Sequence, residues 1–162
     1  MIRFESGDRC FNYRAVGVAI REQSILLQQA ASQDFWVVPG GRPVLGEPAA
    51  TALQREAKEE LDVVVEVGQL LWLVENFFTY EGKHYHELGL YFLMRLPRGC
   101  DYLVQSGPFN RETNETKFIL DWFPRDVEVL RNLPLLPSFL QTRVKALPET
   151  TEHLVHFHKR ES

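Results

Sequence analysis

The chain has 162 residues, with 18 Lys and Arg against 22 Asp and Glu, a formal net charge of −4 and 44% hydrophobic residues. These values fit one soluble globular domain, expected to span 1–162, and they exclude disordered, collagen-like and membrane classes. The mild acidity argues against a protein that binds the phosphate backbone of DNA or RNA, because such binding needs a basic surface.

The first part of the chain predicts two strands and a tight loop. Segments 13–20 and 24–29 are apolar and are separated by the polar turn residues 21–23. A third short apolar run, 35–38, ends at Pro-Gly-Gly in 39–41. Because proline lacks an N–H group and glycine tolerates positive φ, we expect a tight loop there.

A helix is predicted over 47–61. Pro48 suits a first helical turn, where a missing N–H group costs little. The apolar residues of this segment recur at helical spacing and predict one buried face, made of Ala50, Leu53, Ala57 and Leu61.

Two long strands follow the helix. Segment 63–65 is three valines and predicts the start of a strand. Segments 70–80 and 84–96 are rich in apolar and aromatic residues, and 81–83 between them predicts a hairpin turn.

The last third is less regular. Segment 97–116 is expected to be irregular, 118–123 to be a strand, and helices are predicted over about 124–132 and over 139–146. The tail 150–162 is predicted to be a late strand or a flexible end. Since strands and helices interleave, the fold class is α/β (α+β).

Cysteine usage and hydropathy suggest a compartment. Cys10 and Cys100 are far apart and form no metal-binding spacing, which favours two thiols in a reducing cytosol. There is no long apolar run, and the N-terminus is charged where a signal peptide is apolar. A cytoplasmic location is therefore expected.

Three carboxylates of the predicted helix share one face. Glu56, Glu59 and Glu60 stand at i, i+3 and i+4, which brings their Cβ atoms within ~5–6 Å of one another. Such a cluster is either a solvated helix surface or a site for a hard cation such as Mg²⁺, which prefers oxygen ligands.

The surrounding segment resembles the Nudix box, G-x5-E-x7-R-E-U-x-E-E-x-G-U, where U is a bulky aliphatic residue. It runs from Gly41 to Val63 as GRPVLGEPAATALQREAKEELDV, after a W-x-x-P-G-G lead-in at 36–41. Ala57 is a small residue at a U position. Seven of the nine specified positions match strictly, namely Gly41, Glu47, Arg55, Glu56, Glu59, Glu60 and Val63.

Asp62 occupies the final glycine position of the box. That position ends a helix, where a left-handed residue is the usual cap. Asp is one of the few non-glycine residues that adopt this conformation, at a cost of roughly 1–2 kcal/mol. We therefore expect positive φ at Asp62 and an otherwise intact box.

The resemblance to the Nudix hydrolase family implies a fold and a set of roles. The fold is an α/β/α sandwich with a mixed β-sheet between helices. Glu56, Glu59 and Glu60 match the carboxylates that bind Mg²⁺, with Mn²⁺ as a substitute, and the backbone carbonyl of Gly40 matches a further ligand. All three carboxylates are predicted catalytic residues, with Glu59 as the general base.

The resemblance also assigns roles to further positions of the box. Glu47 and Arg55 match positions that are more often structural, Arg55 orienting the neighbouring carboxylates and contacting substrate. Gly41 is expected to serve the turn.

Many relatives recruit an acid from a later loop. The candidates here are Asp121, Glu115, Glu112 and Glu87, although acids at such positions are more often surface residues. Tyr80, 17 positions after Val63, is a candidate substrate contact, although aromatic residues on such strands are usually core.

Two functions remain open on this basis. The first is a metal-dependent pyrophosphohydrolase that cleaves the diphosphate linkage of a nucleotide, a dinucleoside polyphosphate or a nucleotide sugar. The second is a non-catalytic Nudix-fold domain that binds a nucleotide or RNA and regulates. The intact carboxylates favour the enzyme, whose partner is a small phosphoanhydride, with no DNA or membrane binding, as a monomer or homodimer.

Overall fold

The structure is a computed structural model that describes residues 1–158. The strands in chain order are β1 (Arg3–Ser6), β2 (Arg9–Val18), β3 (Ile20–Arg21), β4 (Ser24–Ala30), β5 (Gly40–Gly41), β6 (Glu66–Tyr80), β7 (Lys83–Arg95), β8 (Phe109–Glu112), β9 (Lys117–Pro124) and β10 (Glu152–Phe157). The helices are α1 (Ala49–Leu61), α2 (Asp101–Val104), α3 (Val127–Arg131) and α4 (Leu140–Arg143).

These strands form two sheets. The larger has the order β1-β2-β7-β6-β10, and β5 pairs with the second half of β2. It is mixed, because β2 runs parallel to β7 and β6 parallel to β10, whereas its other pairs are antiparallel. The smaller sheet, β3-β4-β9-β8, is antiparallel throughout. The predicted α+β class with a mixed sheet is confirmed.

Helix α1 packs against both sheets. Its buried residues join a core with Ala15 of β2, Leu26 of β4 and Leu120 of β9. Burying a leucine side chain contributes roughly 1.5–3 kcal/mol, so this face fixes the helix in place. The buried face differs from the prediction at one residue, because Ala52 is fully buried and Ala50 is not. The residues buried on α1 are Ala52, Leu53, Ala57 and Leu61.

A second core lies under the short C-terminal helices. Trp72 and Tyr91 of the larger sheet pack there with Leu130 of α3 and Leu140 of α4. Of the predicted helix 139–146, only Leu140–Arg143 is α-helical. No helix in residues 1–158 is both long and apolar enough to span a membrane.

Neither the apolar run 35–38 nor the predicted strand start at 63–65 forms a strand in the described structure. In segment 35–38, Trp36 and Val37 form only isolated bridges, with Leu135 and Gln28. Because these partners belong to different segments, no ladder can extend. The segment 63–65 is not a strand either, and β6 begins only at Glu66, since the chain turns at the end of α1.

The segment 97–116 is more ordered than predicted, because it contains α2 and β8. The hairpin turn is shorter than predicted: Glu81 and Gly82 have φ of 48° and 79°, and β7 starts at Lys83. In the tail 150–162, residues 152–157 form β10, and the last four residues lie outside the described part.

Candidate active site

Strand β5 brings the two glycines of the box loop against β2 and α1. Neither Gly40 nor Gly41 has positive φ, so the prediction that the loop depends on such conformations is wrong. The requirement is space: a Cβ atom on Gly41 would overlap the Glu56 carboxylate, and one on Gly40 would overlap the β2 backbone at Val16. Only glycine permits this close approach.

The Gly40 carbonyl is free of the ladder with β2. Gly17 donates its N–H to the carbonyl of Pro39 at 2.8 Å, and the next register pair is Val16 with Gly40. Bonded and non-bonded pairs alternate in an antiparallel ladder, so Gly40 is at a non-bonded position. Its carbonyl oxygen therefore points away from β2 and is available as a ligand.

Arg55 forms hydrogen bonds with three acidic side chains of the box. Its Nε and Nη2 donate to the two carboxylate oxygens of Glu47 at 2.9 and 3.0 Å. Its Nη1 donates to Glu56 at 2.9 Å and reaches Glu59 at 3.5 Å. Nη2 also donates to the carbonyl of Arg42 at 3.2 Å. Every nitrogen of the guanidinium group thus donates a hydrogen bond within the protein, which agrees with an orienting role for Arg55. Its contact with substrate stays a prediction.

The pKa values of Glu47 and Glu56 shift in opposite directions, although Arg55 acts to lower both. The hydrogen bond from Arg55 lowers the pKa of Glu47. Burial raises the pKa of Glu56, and the bond from Arg55 opposes that rise only in part.

Glu60 is the most perturbed carboxylate of the box. Burial raises its pKa to about 7, and the negative charge of Glu56 adds to the rise. Its Oε2 atom is buried and has no hydrogen-bond partner among residues 1–158. By contrast, the Glu59 side chain is 58% exposed. The three carboxylates therefore occupy three different environments.

The C-terminal turn of α1 ends as predicted. Asp62 has φ 55° and ψ 41°, the left-handed conformation, which confirms the expectation for the glycine position of the box. Its carboxylate accepts a hydrogen bond from Lys58 at 2.9 Å.

Segments distant in sequence hold the same turn. The hydroxyl of Tyr102 donates to the carbonyl of Leu61 at 2.8 Å, and Nε of Arg111 donates to the carbonyl of Glu60 at 3.0 Å. Both bonds satisfy carbonyl groups that have no partner within a helix. Neither residue was singled out from the sequence, which carries no local signal for them.

The donor set suits a divalent cation, although the side chains do not enclose one. Within residues 1–158, no three His, Cys, Asp or Glu side chains lie close enough together to hold a metal ion. Glu59 is turned towards Arg55 and solvent, so it would have to rotate to join Glu56 and Glu60. The unpartnered Oε2 of Glu60 and the free Gly40 carbonyl are the oxygen donors that a hard cation prefers.

The acids predicted from later in the chain form no hydrogen bond or ion pair with the box carboxylates among residues 1–158. Asp121 is half-buried on β9, and its Oδ1 accepts the N–H of Trp122 at 2.8 Å. Glu112 lies 3.9 Å from Lys117, and Glu115 is exposed in the turn before β9.

Glu87 and Tyr80 have other surroundings. Glu87 is only 7% exposed and accepts a hydrogen bond from Asn12, which corrects the expectation of a surface acid. Tyr80 lies at the end of β6 with its ring edge against Phe35, at a centroid distance of 6.1 Å. Its role as a substrate contact stays a prediction.

Comparison with known proteins identifies the class to which this fold and site belong. The NUDIX domain model matches residues 12–143, and the chain therefore belongs to the NUDIX domain family. It is 30% identical over 122 residues to a protein of Bacillus subtilis (strain 168) called "Putative ADP-ribose pyrophosphatase YjhB". The match covers 75% of this chain and 52% of that protein, so the chain spans about half the length of this relative.

Solved structures share the fold. An ADP-ribose pyrophosphatase from Streptococcus suis 89-1591 has a TM-score of 0.58 at 19% identity, covering 88% of this chain and 97% of its own. The mutator MutT protein from Bacillus halodurans has a TM-score of 0.58 at 19% identity, covering 89% of this chain and 88% of its own.

Proposed function

We propose that this chain is a Mg²⁺-dependent pyrophosphohydrolase that cleaves the diphosphate linkage of a nucleoside diphosphate joined to a second group. Family membership supports hydrolysis of a phosphoanhydride bond. The names of the relatives from B. subtilis and S. suis make ADP-ribose the first candidate substrate.

The observation that carries the proposal is the environment of Glu60. A buried carboxylate oxygen without a partner is costly unless something completes its coordination. It belongs to the same helix as Glu56, whose carboxylate touches the glycine strand β5. A cation bound there would neutralise both carboxylates and complete the coordination of the buried Glu60 oxygen.

Each box residue has a proposed task. Glu56, Glu60 and the Gly40 carbonyl would hold Mg²⁺, or Mn²⁺ in its place, with Glu59 completing the set. When bound, such a cation polarises phosphoryl oxygens and lowers the pKa of an attacking water. Arg55 keeps Glu56 in position by a charge-assisted hydrogen bond.

The reaction is a hydrolysis with water as the nucleophile. Glu59, the most exposed of the three carboxylates, accepts a proton from the water. The water oxygen bonds to one phosphorus, and the bond from that phosphorus to the bridging oxygen breaks. For ADP-ribose, the products are AMP and ribose 5-phosphate.

The test is a substrate screen with a matched pair of variants. ADP-ribose, dinucleoside polyphosphates, nucleotide sugars and nucleoside triphosphates are incubated with Mg²⁺ and the wild type, Glu60→Gln or Glu149→Gln. The last variant removes an exposed carboxylate outside the box. We expect one class to be cleaved, a loss on the order of 100-fold in Glu60→Gln, and little change in Glu149→Gln. Wild-type turnover of none of them, or full activity of Glu60→Gln, would favour the non-catalytic regulatory domain.

A further inference from the structure

Two arginines beside the box have no acidic partner. Arg14 on β2 and Arg42, directly after β5, are both partly buried. In the part of the chain that the structure describes, neither guanidinium forms an ion pair. Among residues 1–158, the Arg42 side chain donates hydrogen bonds only to neutral groups, the Asn12 amide oxygen and, at 3.5 Å, the sulfur of Met1. Charged groups removed from water are normally paired, so these two need an explanation.

Both arginines flank the strand that carries the glycines. Arg14 is next to Ala15, which pairs with Gly41, and Gly41 lies against the Glu56 carboxylate. Arg42 follows Gly41 in the chain. The two positive charges therefore lie at the edge of the same site as the box carboxylates.

The positive charge of Arg14 reaches the carboxylates that are proposed to bind the metal. Arg14 lies close enough to interact electrostatically with both Glu56 and Glu60. Arg42 is partly buried and lies within electrostatic range of the positive charges of Arg14 and Arg3 and of the negative charge of Glu87. Two like charges held this close repel each other, and an anion between them would remove the repulsion.

Neighbouring residues orient Arg42, and a glycine lies opposite Arg14. Asn12, on the same face of β2 as Arg14, accepts a hydrogen bond from Nε of Arg42. Its amide nitrogen donates to Glu87 at 2.7 Å, so Asn12 links the Arg42 side chain to the Glu87 carboxylate. Across the ladder from Arg14 lies Gly89 of β7, where the ring of Tyr91 occupies the position that a Cβ atom would take.

We propose that Arg14 and Arg42 bind a phosphoryl group of the substrate, with Asn12 and Glu87 as positioning residues for Arg42. The fork of an arginine matches the oxygens of a phosphate in a bidentate manner. The ligand class is a diphosphate ester, whose charge the acidic helix α1 would otherwise repel. This inference rests on the proposed function for the identity of the substrate, but binding of the anion can be measured separately.

The experiment measures binding of ADP and of adenosine by calorimetry in the presence of EDTA, so that no divalent cation contributes. The variants are Arg14→Gln, Arg42→Gln and Arg98→Gln, the last being an exposed arginine with the same change of charge. We expect each of the first two to weaken ADP binding by roughly 10-fold or more, the loss typical of one charge-assisted hydrogen bond. Adenosine binding, and ADP binding by Arg98→Gln, should match the wild type.

Additional variants separate binding from folding. Arg14→Lys and Arg42→Lys keep the charge but lose the fork, so intermediate ADP affinities are expected from proteins with wild-type circular dichroism. ADP binding by the folded glutamine variants as tight as by the wild type, or no ADP binding by the wild type itself, would overturn the inference.

Hydrolysis supplies the second readout. With Mg²⁺ and the substrate found in the screen, the arginine variants should raise KM more than they lower kcat. If the wild type hydrolyses nothing but ADP binding depends on both arginines, the proposed function fails and this inference stands. If hydrolysis is normal and neither KM nor ADP affinity changes, the inference fails and the proposed function stands.

Discussion

At the scale of single residues, the buried carboxylate of Glu60 links acidity to stability. Its pKa is about 7 in the folded protein against 4.5 for an unperturbed Glu. The folded state therefore holds this proton more tightly than the unfolded state. The resulting stabilisation is complete below pH 4.5 and is lost as pH rises through 7.

We expect the metal-free Glu60→Gln variant not to show this loss of stability with rising pH. Between pH 5 and pH 8, the wild type should lose about 2 kcal/mol more of its free energy of unfolding than the variant does. Urea unfolding in EDTA at both pH values measures the difference, with Glu149→Gln as the control that should follow the wild type. Parallel curves for wild type and Glu60→Gln would contradict the assigned burial.

Asp62 allows a test of backbone strain in which side-chain effects cancel. Asp62→Gly and Asp62→Ala both remove the exposed ion pair with Lys58, but only alanine keeps a Cβ atom at φ 55°. The glycine variant should be more stable than the alanine variant by about 1 kcal/mol. Equal stabilities in urea would show that the left-handed cap costs nothing.

At the scale of elements, helix α1 depends on segments far along the chain. The Tyr102 hydroxyl is buried and donates to the last turn of α1. Tyr102→Phe leaves the Leu61 carbonyl without that donor, and it should destabilise the protein by about 1–2 kcal/mol. Urea unfolding measures this loss.

Tyr80→Phe is the matched control, because Tyr80 is 37% exposed, and a change of less than about 0.5 kcal/mol in the free energy of unfolding is expected. Faster hydrogen exchange at 58–62 in Tyr102→Phe alone would locate the effect.

The sequence predicted the elements whose signals are local. The spacing of Leu53, Ala57 and Leu61 predicted α1, and the glycine after Glu81 predicted the hairpin, because each pattern depends on neighbours a few residues apart. The box residues were identified for the same reason, since their spacing is fixed within a single loop and helix.

Features that depend on register could not be predicted. Asn12 meets Glu87 only because β2 pairs with β7 in one particular alignment, and the two residues are 75 positions apart. The bond from Arg111 to the end of α1 joins residues 51 positions apart. Hydrophobic periodicity indicates which face of a strand is buried, but it does not say which strand lies beside it.

At the scale of the whole molecule, cation binding should raise thermal stability. A ligand that binds only the folded state at 100 times its Kd adds about 2.7 kcal/mol. For a chain of 162 residues this corresponds to a rise in Tm on the order of 5–10 °C. We expect that rise with Mg²⁺ at pH 8 in the wild type and in Glu149→Gln, but not in Glu60→Gln. An equal rise in all three proteins would place the cation elsewhere.

The parallel pairing of β2 with β7 has a consequence for how the protein is made. All ten residues of β2 pair with β7, yet α1 lies between the two strands in sequence. During synthesis, α1 is completed before β7 is added to the chain, so its apolar face has no finished sheet to pack against. Folds dominated by such non-local pairings form in roughly milliseconds to seconds, because a long loop must close first. The constellation around Glu56 and Glu60 is therefore expected to assemble late, after most of the polypeptide has been translated.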